Sequence, residues 1–131
     1  MNFLTLLEIA DLLAELLDTE SVTAGCIDTS YNKTIGVYQR EEFVPRECIG
    51  TESSYETAKI RILIHYNENP TETESKAIEI AELFRSFENM ETKKHIIKFA
   101  EVKAIRSIGK DEKGICEYVV DINIIYTERN D

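Results

Sequence analysis

The ten residues from Thr57 to Tyr66 constrain this chain more than any other stretch. Ala58, Ile60, Ile62, Ile64 and Tyr66 fall on one side of an extended backbone, and Lys59, Arg61, Leu63 and His65 on the other. A two-residue period of this kind marks a β-strand with one covered and one partly exposed face. The covered face needs a second layer, and two segments can supply it. Phe3, Leu6, Leu7, Ala10, Leu13, Leu16 and Leu17 recur at helical spacing with Glu8, Asp11, Glu15 and Asp18 opposite, which predicts a helix over residues 2–18. Thr71-Glu72-Thr73-Glu74 reads as a capping box. Behind it Ala77, Ile78, Ile80, Ala81, Phe84 and Phe87 predict a second helix ending near Asn89.

Further strands complete the sheet. Two short β-type runs, at 22–27 and 34–38, flank a polar turn-like stretch. Residues 94–107 and a final alternating strand, with Tyr118, Val120, Ile122, Ile124 and Tyr126 inward, form a hairpin around a turn at 109–114. Glu117, Asp121 and Asn123 point to the other face, where charges of both signs mix with apolar residues, a composition that suits subunit contacts. The expected fold is α+β, in the order α-β-β-β-α-β-β: a mixed, mostly antiparallel sheet with two helices packed on one face. No internal repeat divides residues 1–131, so a single domain is expected.

Composition excludes several function classes. A chain of 131 residues, 43% hydrophobic and 31% charged, can bury a core without staples. Cys26, Cys48 and Cys116 are odd in number and far apart, so we expect reduced, mostly buried thiols rather than disulfides or a metal site. No long apolar span occurs, and the start lacks a basic leader, which leads us to expect folding in a cytoplasm and no membrane partner. There is no Gly-rich phosphate loop, no nucleophile elbow and no zinc-protease motif. His65 and His95 show no orienting carboxylate in sequence, and both are expected to be partly exposed. We therefore expect no catalytic residues, no cofactor and no enzyme.

Charge points to surfaces instead. The net charge of −10 argues against broad contact with nucleic-acid phosphates. Residues 1–32 hold six acids, Asp11, Glu15 and Asp18 among them, and no Lys or Arg, whereas 93–113 hold seven bases against three acids. Asp11, Glu15 and Asp18 of one copy would suit Lys93, Lys94, Lys98 and Lys103 of the next. The aperiodic, charge-rich segment 39–56 is the expected partner-binding arm, through Arg40, Glu41, Glu42, Phe43 and Arg46. Two other classes compete. One is a small ligand-binding or regulatory domain with a pocket between the second helix and the sheet. The other is an enzyme with Cys48 as nucleophile, for which no base can be named.

Taken in order, these pieces resemble a known family. The Leu-rich first helix, Ile35-Gly36-Val37-Tyr38, Lys59-Ile60-Arg61-Ile62-Leu63-Ile64, Glu72-Thr73-Glu74-Ser75-Lys76-Ala77, the turn from Gly109 to Gly114 and the ending Asn123-Ile124-Ile125-Tyr126 are similar to the tail-terminator and minor capsid proteins of tailed bacteriophages, lambda-like tail-completion proteins included. The resemblance implies a virion tail protein assembled in the host cytoplasm. It implies a homo-oligomeric ring, typically a hexamer, that caps the tail tube, stops its growth and docks to the head connector. Tail tube protein, connector proteins and further copies of the chain would be its partners, and DNA would only pass through the channel.

Overall fold

The computed structural model describes residues 3–17, 21–27, 33–40 and 55–129. Within them the chain forms α1 (Leu6–Leu17), β1 (Ser21–Ala24), β2 (Thr34–Gln39), β3 (Glu56–His65), α2 (Pro70–Arg85), β4 (Met90–Glu91), β5 (His95–Lys110) and β6 (Cys116–Glu128). The six strands make one sheet in the order β1-β2-β3-β6-β5-β4. The expected order holds, with the two-residue β4 as an addition.

β3 and β6 form the centre because their alternation is the cleanest. They pair antiparallel from Glu56↔Tyr126 to His65↔Glu117 without a break. This register places Ala58, Ile60, Ile62 and Ile64 beside Val120, Ile122 and Ile124, all of them buried. Both helices cover this face, α1 over β1 and β2, α2 over β5 and β6. Burying a side chain of this size is worth roughly 1.5–3 kcal/mol.

Four of the five strand pairings are antiparallel; β1 and β2 run parallel. The two amino-terminal runs thus pair with a crossover between them rather than a tight turn. The start of that crossover lies over the sheet face away from the helices, where Gly36 sits opposite Leu63. A Cβ at Gly36 would stand 2.7 Å from Ile27 Cγ2 and 2.7 Å from the Tyr38 ring, so only glycine leaves room.

Both helices depart from expectation in detail. α1 is turned so that Ile9, Ala10, Leu12 and Leu13 are buried with Glu8, whereas Leu7 is 62% and Leu16 40% exposed. Nearly every non-acidic position of this helix is apolar, so periodicity alone left its rotation open. α2 begins one residue before the expected capping box. Pro70 occupies its first turn, where a missing N–H costs nothing, and Asn69 is the cap, its side chain accepting from the amides of Thr71 and Glu72. Glu74 accepts from the Tyr118 hydroxyl instead (3.1 Å), and Ile78 is 45% exposed. The helix ends at Arg85, and Phe87 is buried beyond it against Phe84, ring centroids 5.0 Å apart.

The cap assignment has a direct test. Asn69→Ala should lower stability by about 1 kcal/mol, and the exposed Thr71→Ala should stay within about 0.5 kcal/mol of the parent. Urea unfolding midpoints decide between them: a capping box would reverse the order.

Candidate functional site

One buried carboxylate joins α1 to the far end of the sheet. Thr5 Oγ1 accepts from the Glu8 amide at the helix start, which sets Glu8 on the first turn. The Glu8 carboxylate then meets the β4–β5 turn, accepting from the Thr92 hydroxyl and from the Lys94 amide (2.9 Å). His95 Nδ1 lies 2.9 and 3.0 Å from its two oxygens. Burial pushes the Glu8 carboxyl up, but the hydrogen bonds from Thr92, His95 and Lys94 outweigh it and hold it below the usual carboxylate range. An ionised carboxylate can only accept, so Nδ1 donates. The His95 ring stacks edge-on against Tyr126, with centroids 5.2 Å apart.

A second carboxylate–histidine pair closes the β5–β6 turn. Asp111 accepts from the amides of Lys113 and Ile115, both at 2.9 Å, and from His65 Nε2 at 2.7 Å. The His65 hydrogen bond comes first among the causes that hold the Asp111 carboxyl low. The turn is therefore pinned to the end of β3, and it spans 111–115 because Gly109 and Lys110 belong to β5. His65 and His95 are 2% and 0% exposed, so the expectation of partly exposed histidines is corrected. So is that of histidines without carboxylate partners, which come from elements distant in sequence. Neither pair belongs to a metal-ligand cluster among the described residues. Both act as clamps.

On the face away from the helices Asp121 takes Arg61 Nε at 2.7 Å and Nη2 at 3.1 Å, with Arg106 at 3.6 Å. The Arg61 hydrogen bond leads the causes that hold the Asp121 carboxyl low. Arg40, at the end of β2, reaches the Asn123 side chain on the same face.

The basic stretch is built on an irregular strand. β5 has 16 residues against 13 in β6, and its register slips between Ile97 and Phe99, Val102 and Ala104, and Ser107 and Gly109. The extra residues are Lys98, Lys103 and Ile108. Sequence reasoning missed these bulges; the signal was the excess length of the run before the turn.

The expected interface residues separate as follows. Asp11 and Glu15 are exposed on α1, and with Leu7, Lys93 and Lys94 they line an open groove of about 690 Å³ between α1 and the β4–β5 turn of the same chain. Lys98 and Lys103 lie further along β5. Asp18, Glu41, Glu42, Phe43 and Arg46 lie outside the described residues, as does Cys48. Cys116 is buried as expected, and Cys26 is exposed, against expectation. The groove adjoins the first helix, whereas the pocket expected for a ligand-binding domain was placed under the second.

These features define a small α+β protein whose distinctive chemistry is structural, with clamps inside and charged surfaces outside. Comparison with known proteins makes the class specific. The bacteriophage tail terminator protein family matches residues 12–128, and the chain belongs to it. No curated protein matches the chain. Membership makes it a structural component of a phage tail rather than a member of an enzyme family. Among the described residues no helix is long and apolar enough to cross a membrane.

The Glu8 clamp gives a pH prediction with a definite sign. Glu8, Asp111 and Asp121 are all held low in the folded state, so their contribution is complete above the ordinary carboxylate range, about 4, and is lost as pH falls through the folded values. Burial raises Glu117, which acts in the opposite direction. Urea midpoints should fall between pH 5 and pH 3, with a shallower fall in Glu8→Gln. At neutral pH Glu8→Ala, which strands the Thr92 and His95 groups, should cost about 3–5 kcal/mol. A loss below 1 kcal/mol would remove the clamp from the account.

Proposed function

We propose that several copies of this protein form a ring on the end of the phage tail tube, end its growth and present the surface that joins the head. Membership of the tail terminator family over residues 12–128 carries this reading. The segregated charge supports it, since an acidic helix and a basic strand on each copy suit a head-to-tail contact that closes by rotation. The net charge of −10 suits a channel wall that lets DNA pass without holding it. The 39–56 segment is the arm that reaches a neighbouring copy or the tube below. Assembly takes place in the host cytoplasm, with tube and connector proteins as neighbours and with no cofactor.

The decisive experiment is tail assembly in cells lacking the protein. Tubes should grow to uncontrolled lengths and fail to join heads, and added purified protein should restore both. Tubes of normal length in its absence would overturn the reading. For the isolated protein, light scattering across concentration and salt should show a ring mass that falls apart as salt rises. Lys93→Glu, Lys94→Glu and Lys98→Glu together should abolish the ring while leaving the monomer folded.

The groove between α1 and the β4–β5 turn favours a second reading, a small-ligand or regulatory domain. A ligand at one hundred times its Kd would stabilise the fold by about 2.7 kcal/mol. Thermal shifts with a small-molecule panel test it.

A further inference from the structure

The sheet ends in two unlike edges. At one, β1 offers Ser21-Val22-Thr23-Ala24, four half-buried residues without a charge. At the other, β4 covers β5 only at Ile96 and Ile97, and the Asn89 amide takes the Lys98 carbonyl (3.2 Å). From Phe99 to Lys110 no strand among the described residues pairs with the outer side of β5. An edge of this length is a template for another strand.

The bulges restrict which strand it can take. Extra residues at Lys98, Lys103 and Ile108 leave regular runs of only four, at 99–102 and 104–107. A longer incoming strand would lose register at a bulge, which guards the edge against indiscriminate pairing. A strand of four residues fits between two bulges, and β1 has four.

Charge selects one run. The run at 99–102 contains Glu101, whereas 104–107 contains no acid and lies between the exposed Lys103 and Lys110; Arg106 within it faces the other way, toward Asp121. β1 packs beside α1, whose only charged residues are Glu8, Asp11 and Glu15. Glu8 is consumed in the clamp; Asp11 and Glu15 are exposed. Apolar surface also awaits cover, since Phe99 is 48% and Ile108 54% exposed.

We propose that β1 of one copy adds to the outer edge of β5 of the next at residues 104–107, so that the sheet continues from copy to copy. The contact joins opposite edges of the sheet and is heterologous, which lets repetition close a ring. This inference rests on the ring reading above and specifies the surface that makes the ring.

Thiol cross-linking tests it. Thr23 lies opposite Gly36, and Ala104 opposite Asp121, so both belong to the sheet face away from the helices. Thr23→Cys and Ala104→Cys are combined in a chain that also carries Cys26→Ser and Cys48→Ser, with folding checked by urea midpoint. A short bis-maleimide is applied to the protein in solution and in assembled tails. The double variant should give a ladder of covalent oligomers up to the ring size. Each single variant should stay monomeric, and a mixture of the two should stop at dimers.

A ring mass or a normal tail without cross-links overturns the edge pairing and leaves the ring reading standing. Dimers from the Thr23→Cys chain alone, the mark of β1 pairing with β1, also overturn it. A monomer in solution that is absent from tails overturns both.

Discussion

A carboxylate buried at the end of a helix fixes much of this protein. Glu8 sits where α1 meets the β4–β5 turn, and its oxygens take the Thr92 hydroxyl, the Lys94 amide and His95 Nδ1. Removing a carboxylate from water is costly, and this site is viable because donors from three residues of one turn, Thr92, Lys94 and His95, converge on it. The bond has a direction, so it sets the rotation of α1 about its axis. That rotation sends Ile9, Leu12 and Leu13 into the core and turns Leu7, Asp11 and Glu15 outward. The outward placement of Asp11 and Glu15 on α1 thus goes with one internal hydrogen-bond network.

The same economy governs the opposite end of the sheet. Asp111 organises the β5–β6 turn with two backbone amides and fastens it to β3 through His65. Between the two clamps β3 and β6 run in unbroken register, while β5 beside them slips three times. A rigid centre with an irregular border is a sensible division for an assembly protein. The centre holds the core, and the border decides what can join it. An edge with full ladder capacity would invite any extended chain.

Several parts of this arrangement were legible in the sequence. The alternation of 57–66 and 118–126 gave two strands and the face that each buries, since a shift of one residue would turn Ile60, Ile62 and Ile122 outward. The family resemblance rested on element order and was met by the match to residues 12–128. The cap of α2 was misread by two residues because Asn69-Pro70 and Thr71-Glu74 are both valid start signals, and the fixed backbone of proline favoured the first. Of the candidate interface, Asp11, Glu15, Lys93 and Lys94 proved to share one groove, an adjacency that no local pattern encodes.

The sequence by itself determined what depends on periodicity and composition. Those are the α+β class, the central strands, the covering helices, the segregation of charge and the absence of a recognisable catalytic motif. Tertiary structure alone decided what depends on residues far apart in the chain. Glu8 and His95 are separated by 87 positions, and His65 and Asp111 by 46, so each pair could be read as two ordinary residues until the fold brought them into contact. The parallel pairing of β1 and the bulges of β5 belong to the same group. Hydrophobic spacing says which side of a strand is covered. The direction of a neighbour and the residues left over in a ladder are properties of the pair, and they exist only once both strands are in place.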